Sequence, residues 1–236
     1  MRVSARYFPV HRRDRSARTQ LRRNMRTMFT LPFVHICLSR AAALFALTTI
    51  LITVVDFGED NGLSGYDAVS LLTAYAIGDL CSRLITALVL DTRFMSTSAT
   101  LLCMFVLQAV VMAVMSFEKN YWVLLVCCFV TGLSSGGRFF TCTVMVAEEF
   151  DEDAISLNLG VMNFVSGIAC FIRPPIIGYC RDVLGSYTPL YLLLAIVNAF
   201  FTVTWSLKLI LSLRKKKKAP SIRVALQELP GELLSP

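Results

Sequence analysis

Long apolar runs alternate with short polar breaks along this chain. Six runs stand out, at roughly 31–55, 67–90, 95–116, 121–147, 155–179 and 187–212. Each is close to the ~20 residues that a bilayer core demands. Hydrocarbon offers no partner to a free backbone N–H or C=O, so a spanning segment is either a helix or part of a closed barrel. Runs this long that do not alternate predict helices, as in Leu101 to Met115 and Trp122 to Val130. The pattern therefore predicts an all-α membrane protein, a bundle of six transmembrane helices over residues 31–212. A basic segment (1–30) precedes it, and a basic and then disordered tail (213–236) follows.

Composition agrees with that pattern. The 236 residues are 56% hydrophobic and 17% charged, with a mean hydropathy of +0.63, too apolar for a soluble domain of this length. The net charge of +7 belongs mostly to the two ends. Arginines crowd from Arg2 to Arg26, and Arg214 is followed by Lys215, Lys216, Lys217 and Lys218. The second cluster directly follows an apolar helix, where the commoner meaning is a flank touching anionic lipid; no nucleic-acid partner is expected. With residue 1 in the cytoplasm, the outer connections hold only Lys119 and Arg181, which is the positive-inside bias. Both termini are thus expected in the cytoplasm. The acidic connection 148–153 would also be cytoplasmic, which the bias permits because it counts Lys and Arg. An Arg-rich stretch with the single acid Asp14 also describes a mitochondrial transit peptide, the alternative to a plasma-membrane location. Seven cysteines (37, 81, 103, 127, 128, 142 and 170) fall inside apolar runs, with no Cys-Xaa-Xaa-Cys pair and no Cys/His cluster. No metal and no cofactor is expected.

An ionisable group within a membrane helix costs at least ~2.5–3.5 kcal/mol and is a functional hypothesis by default. In the second helix, Asp79 and Arg83 are one turn apart on one face, and Tyr75 and Thr86 extend that face as a polar stripe. With the helix starting near Asp67, Asp79 lies about 18 Å along a helix of about 36 Å, at the bilayer midplane. The alternative is a purely structural ion pair. As a functional pair, Arg83 presents a permanently charged planar fork suited to a carboxylate. An anion competing for Arg83 leaves Asp79 beside a like charge, and Asp79 then takes a proton. Arg138, in the stripe Thr131, Ser134, Ser135, Arg138 and Thr141, either lines the same cavity or snorkels to the inner interface. Arg40 and Arg173 are weaker candidates, and His35 reads as structural.

Gly132-Leu133-Ser134-Ser135-Gly136 matches Gly-Xaa-Ser-Xaa-Gly, a pattern of serine nucleophiles. A serine protease needs a histidine base on a later helix, and the histidines are His11 and His35. A close helix contact through Gly132 and Gly136 explains the glycines better, so no enzyme is expected.

Six helices with Asp79-Xaa-Xaa-Xaa-Arg83 in the second resemble the C-terminal half of a monocarboxylate transporter, a branch of the major facilitator superfamily. That family is similar in carrying Asp-Xaa-Xaa-Xaa-Arg in the eighth of its twelve helices. Its eleventh helix and the following loop resemble Pro174-Pro175-Ile176-Ile177-Gly178 and Asp182-Val183-Leu184-Gly185-Ser186-Tyr187. The likeness runs from about Pro32 to Ser212 and implies one half of a major facilitator fold. It implies proton-coupled transport of a small organic anion by alternating access, with Arg83 binding the carboxylate and Asp79 relaying the proton. Tyr75 and Arg138 are candidate substrate contacts. Arg173 stands where the family usually has glycine, and Leu84 replaces a proline after the arginine. The family's N-terminal half, with a lysine that helps bind substrate, has no counterpart here, and residues 1–30 resemble its central cytoplasmic loop. A second reading is a membrane subunit that does not transport and binds a second transporter half or regulates a full-length relative.

The orientation is directly testable. Epitopes after Met1 and after Pro236 should be reached only in permeabilised cells, and one at Asn61 in intact cells. Surface labelling of either terminus in intact cells would reverse the assignment.

Overall fold

A computed structural model describes residues 28–150 and 152–227. The segment 1–27, expected to resemble a central loop, and residues 228–236 lie outside the described residues. Seven helices are complete among the described residues: α1 (Leu31–Asp60), α2 (Gly65–Asp91), α3 (Thr97–Met115), α4 (Tyr121–Glu149), α5 (Glu152–Phe171), α6 (Arg173–Asp182) and α7 (Thr188–Gln227). They make six spans, the fifth being Ala154–Asp182 across α5 and α6. No strand occurs among the described residues.

The polar breaks supply the caps that end one helix and begin the next. After Asp60 the chain turns through Asn61 and Gly62, whose φ of 85° is a left-handed conformation that glycine adopts without a Cβ penalty. Leu63 N–H returns to Gly58 O at 3.1 Å, satisfying a terminal carbonyl. Ser64, Ser96 and Asn120 each cap the following helix by accepting from a backbone N–H of its first turn.

Several boundaries differ from the hydropathy reading. The fifth run divides at Ile172, because Pro174 and Pro175 lack N–H donors and their rings clash with a continuous ladder. α6 then carries Arg181 and Asp182 inside a helix instead of a loop. α7 continues through the lysine cluster to Gln227, where a disordered tail was expected from residue 219. The acidic connection also shrinks, since Glu148 and Glu149 close α4 and Glu152 already opens α5.

Two apolar clusters fill the bundle. One, at the end where α1 begins (the basic end), contains Phe33, Ile36, Leu101, Phe105, Met145, Phe201 and Trp205. The other, toward the far end, contains Ile50, Val54, Leu71, Met112, Leu124, Tyr191 and Leu194. Between them lies a polar layer with Asp79, Gln108, Ser134, Arg138 and Asn198. Coverage is uneven. Over its most apolar stretch α4 is 56% buried, whereas α2 and the fifth span are 22% and 17% buried. These two spans therefore bound the open face of the bundle.

Glycines decide how closely α2 meets α4. A Cβ on Gly78 would strike the Phe129 carbonyl oxygen. One on Gly132 would strike the Tyr75 carbonyl oxygen and come within 2.8 Å of the Asp79 nitrogen. At Gly136 it would lie 2.7 Å from both the Asp79 carbonyl oxygen and Asp79 Oδ1. The Gly132–Gly136 spacing thus acts as the expected helix contact. Ser134 between them donates to Gln108 and to the Thr131 carbonyl, and His35 pairs with Thr204 at 2.9 Å.

Because those obstacles are backbone atoms, Gly132→Ala should destabilise the bundle by about 1–3 kcal/mol or more. Gly160→Ala is the control: no atom approaches the added Cβ within 4 Å, and the change gains helix propensity. Thermal unfolding in detergent should show Gly132→Ala melting earlier and Gly160→Ala at or above the parent.

Candidate functional site: a charged layer on the open face

Helical spacing and the α2–α4 contact together place the central pair. The buried stripe of α2 is Ala68, Leu71, Tyr75, Gly78, Ser82 and Thr86, held against α4. Asp79 and Arg83 sit one position beyond that stripe, at the margin between the contact and the open face. Arg83 Nε and Nη2 both reach Asp79 Oδ2 at 3.0 Å, with the side chains 46% and 19% exposed. The other carboxylate oxygen, Oδ1, is buried against Gly136 and has no hydrogen-bond partner among the described residues. One oxygen thus holds the arginine, and the other is an acceptor without a donor. Measured from the ends of their helices at the basic side, Asp79 lies about 18 Å and Arg83 about 12 Å deep.

Tyr75 and Thr86 do not share that edge. Both are buried in the α2–α4 seam, at 2% and 1% exposure. A stripe drawn on a helical wheel is wide enough to include them, but only packing divides the stripe into a covered and an open part. Arg138 is likewise enclosed, with no exposure. It does not snorkel. Its Nε donates to Ser134 O, Nη1 donates to Asn198 Oδ1, and the guanidinium stands 4.9 Å over the Phe105 ring. Tyr75 and Arg138 therefore back the Asp79–Arg83 pair without reaching the open face.

A scan of family models matches residues 36–234 to the Major Facilitator Superfamily. The chain belongs to the major facilitator superfamily. Its six spans form one half of that fold and make it a multi-pass membrane protein. Monocarboxylate transporter 12 of Rattus norvegicus and that of Mus musculus are each 20% identical to it over 190 residues. Those alignments cover 80% of this chain and 39% of either relative, so the chain spans about two fifths of the curated relatives it matches.

In this superfamily half, the sequence reading underweighted Arg40. It is 3% exposed, and Nη1 donates to the Phe139 carbonyl at 2.5 Å and to Thr143 Oγ1 at 3.1 Å. Its guanidinium lies 3.1 Å from the centroid of the Phe139 ring, and that of Arg83 lies 5.7 Å from the same ring. The signal in the sequence was a lone arginine among Ser39, Ala41, Ala42 and Ala43, small neighbours that let a partner helix close over it.

Two clips at the helix ends were not foreseen either. At the far end Arg181 bonds Asp56 at 2.5 Å and Tyr187 at 3.0 Å, and Tyr187 donates to Asp56 at 3.1 Å, joining α1, α6 and the start of α7. At the basic end Lys208 bonds Glu149 at 2.8 Å, joining α7 to α4. The acceptors of both clips come from connections that sequence alone leaves undefined. Arg173 is half-buried at the start of α6, away from this layer. Two grooves of about 580 and 430 Å³ flank the ends of α2, and neither is lined by Asp79 or Arg83.

Asn198→Leu should leave Arg138 buried without its side-chain acceptor, costing about 1.5–3 kcal/mol, the worth of a hydrogen bond to a charged group. Adding Arg138→Met should recover much of the loss, because the unpaired charge then disappears. Melting temperatures of the single and double variants in detergent test this coupling.

Proposed function

We propose that the protein takes part in proton-coupled transport of a small organic anion of the carboxylate kind, with Arg83 as the anion receptor and Asp79 as the proton site. The observation that carries this reading is the Asp79–Arg83 pair, in the middle layer of the bundle at the edge of its open face. Superfamily membership and the distant likeness to relatives named monocarboxylate transporter support it. The location proposed is the plasma membrane; the lysine and arginine bias of the ends supports placing both termini in the cytoplasm.

In the empty state Asp79 neutralises Arg83. An entering carboxylate takes the guanidinium fork in Asp79's place, forming charge-assisted hydrogen bonds in a low-dielectric setting. Asp79 is then left beside an anion and takes a proton. Anion and proton load together without adding net charge. On the opposite side the anion leaves, Arg83 returns to Asp79, and the proton is released. Tyr75 and Arg138, enclosed behind the pair, contribute to the field at the site and do not touch the ligand. The open face along α2 and α5 also suits the second reading, a subunit that docks on another transporter half. The two readings differ in whether Arg83 handles an anion.

Arg83→Lys keeps the charge and loses the planar fork, so uptake affinity should fall about tenfold or more in whatever assembly is active, the equivalent of at least ~1.4 kcal/mol. Asp79→Asn should abolish accumulation driven by a proton gradient while leaving exchange of anion for anion. Uptake into vesicles, normalised to folded protein, checks both. Undiminished proton-driven uptake by a variant with both residues neutral would remove this mechanism.

A further inference from the structure

Three arginines and one carboxylate share the middle of the bundle. Counted from the basic ends of their helices, Arg40, Arg83 and Arg138 lie about 12–17 Å deep, and Asp79 about 18 Å. Arg83 has Asp79. Arg138 has an amide, a backbone carbonyl and a phenyl ring. Arg40 has a carbonyl, a hydroxyl and, through Nη2 at 3.4 Å, the amide oxygen of Asn163. Its Nε has no partner among the described residues. All of its partners are neutral.

That is an expensive way to tie three helices together. A neutral glutamine would join α1 to α4 and α5 without placing a permanent cation in a low-dielectric interior. The surplus charge also shares the half-buried Phe139 ring with the neighbouring guanidinium of Arg83. A monoanion that loads with its proton leaves the surplus unchanged, because the two cancel. A ligand carrying a second negative charge reduces it. Among the partners of Arg40 it is Asn163, on α5, that is exposed, and it accepts from Nη2 at the long limit of a hydrogen bond. A carboxylate replacing the Asn163 oxygen would be charge-assisted and stronger.

We infer that Arg40 and Arg83, which share the Phe139 ring, form a two-point cradle for a small organic dianion with two acidic groups, of the dicarboxylate class. One acid takes the Arg83 fork and the other displaces Asn163 from Arg40, with the ligand's carbon chain passing the Phe139 ring. The inference rests on Arg83 being the anion receptor proposed above, and adds Arg40 as the residue that sets specificity.

The test uses the complete chain in detergent, titrated at neutral pH and constant ionic strength with butyrate or succinate. These are four-carbon acids with one and two carboxylates. Ligand-induced shifts in melting temperature give the apparent Kd. Succinate should bind at least tenfold more tightly than butyrate. Arg40→Gln should weaken succinate about tenfold and leave butyrate within twofold, and Arg83→Gln should weaken both tenfold or more. Asn163→Asp, on an exposed position, should erase the preference for succinate by giving Arg40 its own carboxylate, and it decides the question should Arg40→Gln not fold. Equal binding of the two acids by the parent, or a succinate preference that survives Asn163→Asp, overturns the cradle. If Arg83→Gln still weakens both acids in that case, the anion-receptor reading stands alone. If neither acid binds, or Arg83→Gln changes nothing, the receptor reading falls and the cradle with it.

Discussion

At Gly78 of α2 and at Gly132 and Gly136 of α4 no side chain separates the two backbones, because these residues carry none. In a membrane, packing of this kind has to supply much of the association energy, since lipid tails are as apolar as leucine. The contact also fixes chemistry. Asp79 contributes its own nitrogen, carbonyl oxygen and Oδ1 to the crowded seam, so the contact sets the residue close against α4. Arg83, one turn on, inherits that position and extends toward the open face.

The arginines then show three ways of holding a cation in an apolar bundle. Arg83 is paired with an acid and half-exposed. Arg138 is fully enclosed and held by neutral groups from α4 and α7 and by the Phe105 ring, with Nη2 lacking a partner among the described residues. Arg40 is enclosed like Arg138 but loosely held on the side of Asn163, and it shares Phe139 with Arg83. The layer that contains them separates two apolar clusters, so its charges are insulated from both ends of the bundle and act on one another at short range.

Clips at the two ends complement this layer. Asp56, Arg181 and Tyr187 hold α1, α6 and α7 together at the far end, and Glu149 with Lys208 holds α4 to α7 at the basic end. The proline break between α5 and α6 lies between these ends and frees the fifth span from following one straight axis. Such a bundle is braced at its rims and least covered along α2 and α5.

The sequence by itself determined the six spans, their helical nature, the Asp79–Arg83 pairing and the glycine contact. Each follows from a local rule: run length against bilayer thickness, the four-residue repeat of a helix face, and the need for small residues where backbones touch. Family resemblance extended this to one half of a major facilitator fold. Tertiary structure alone decided which side of the α2 stripe is covered, enclosing Tyr75 and Thr86 while leaving Arg83 open. It also decided that Arg138 meets Asn198, sixty residues away, and that Arg40 meets Phe139 and Asn163. Periodicity says which residues of one helix lie together, but it is silent about the rotation of that helix against its neighbours. A buried arginine's meaning depends on that rotation.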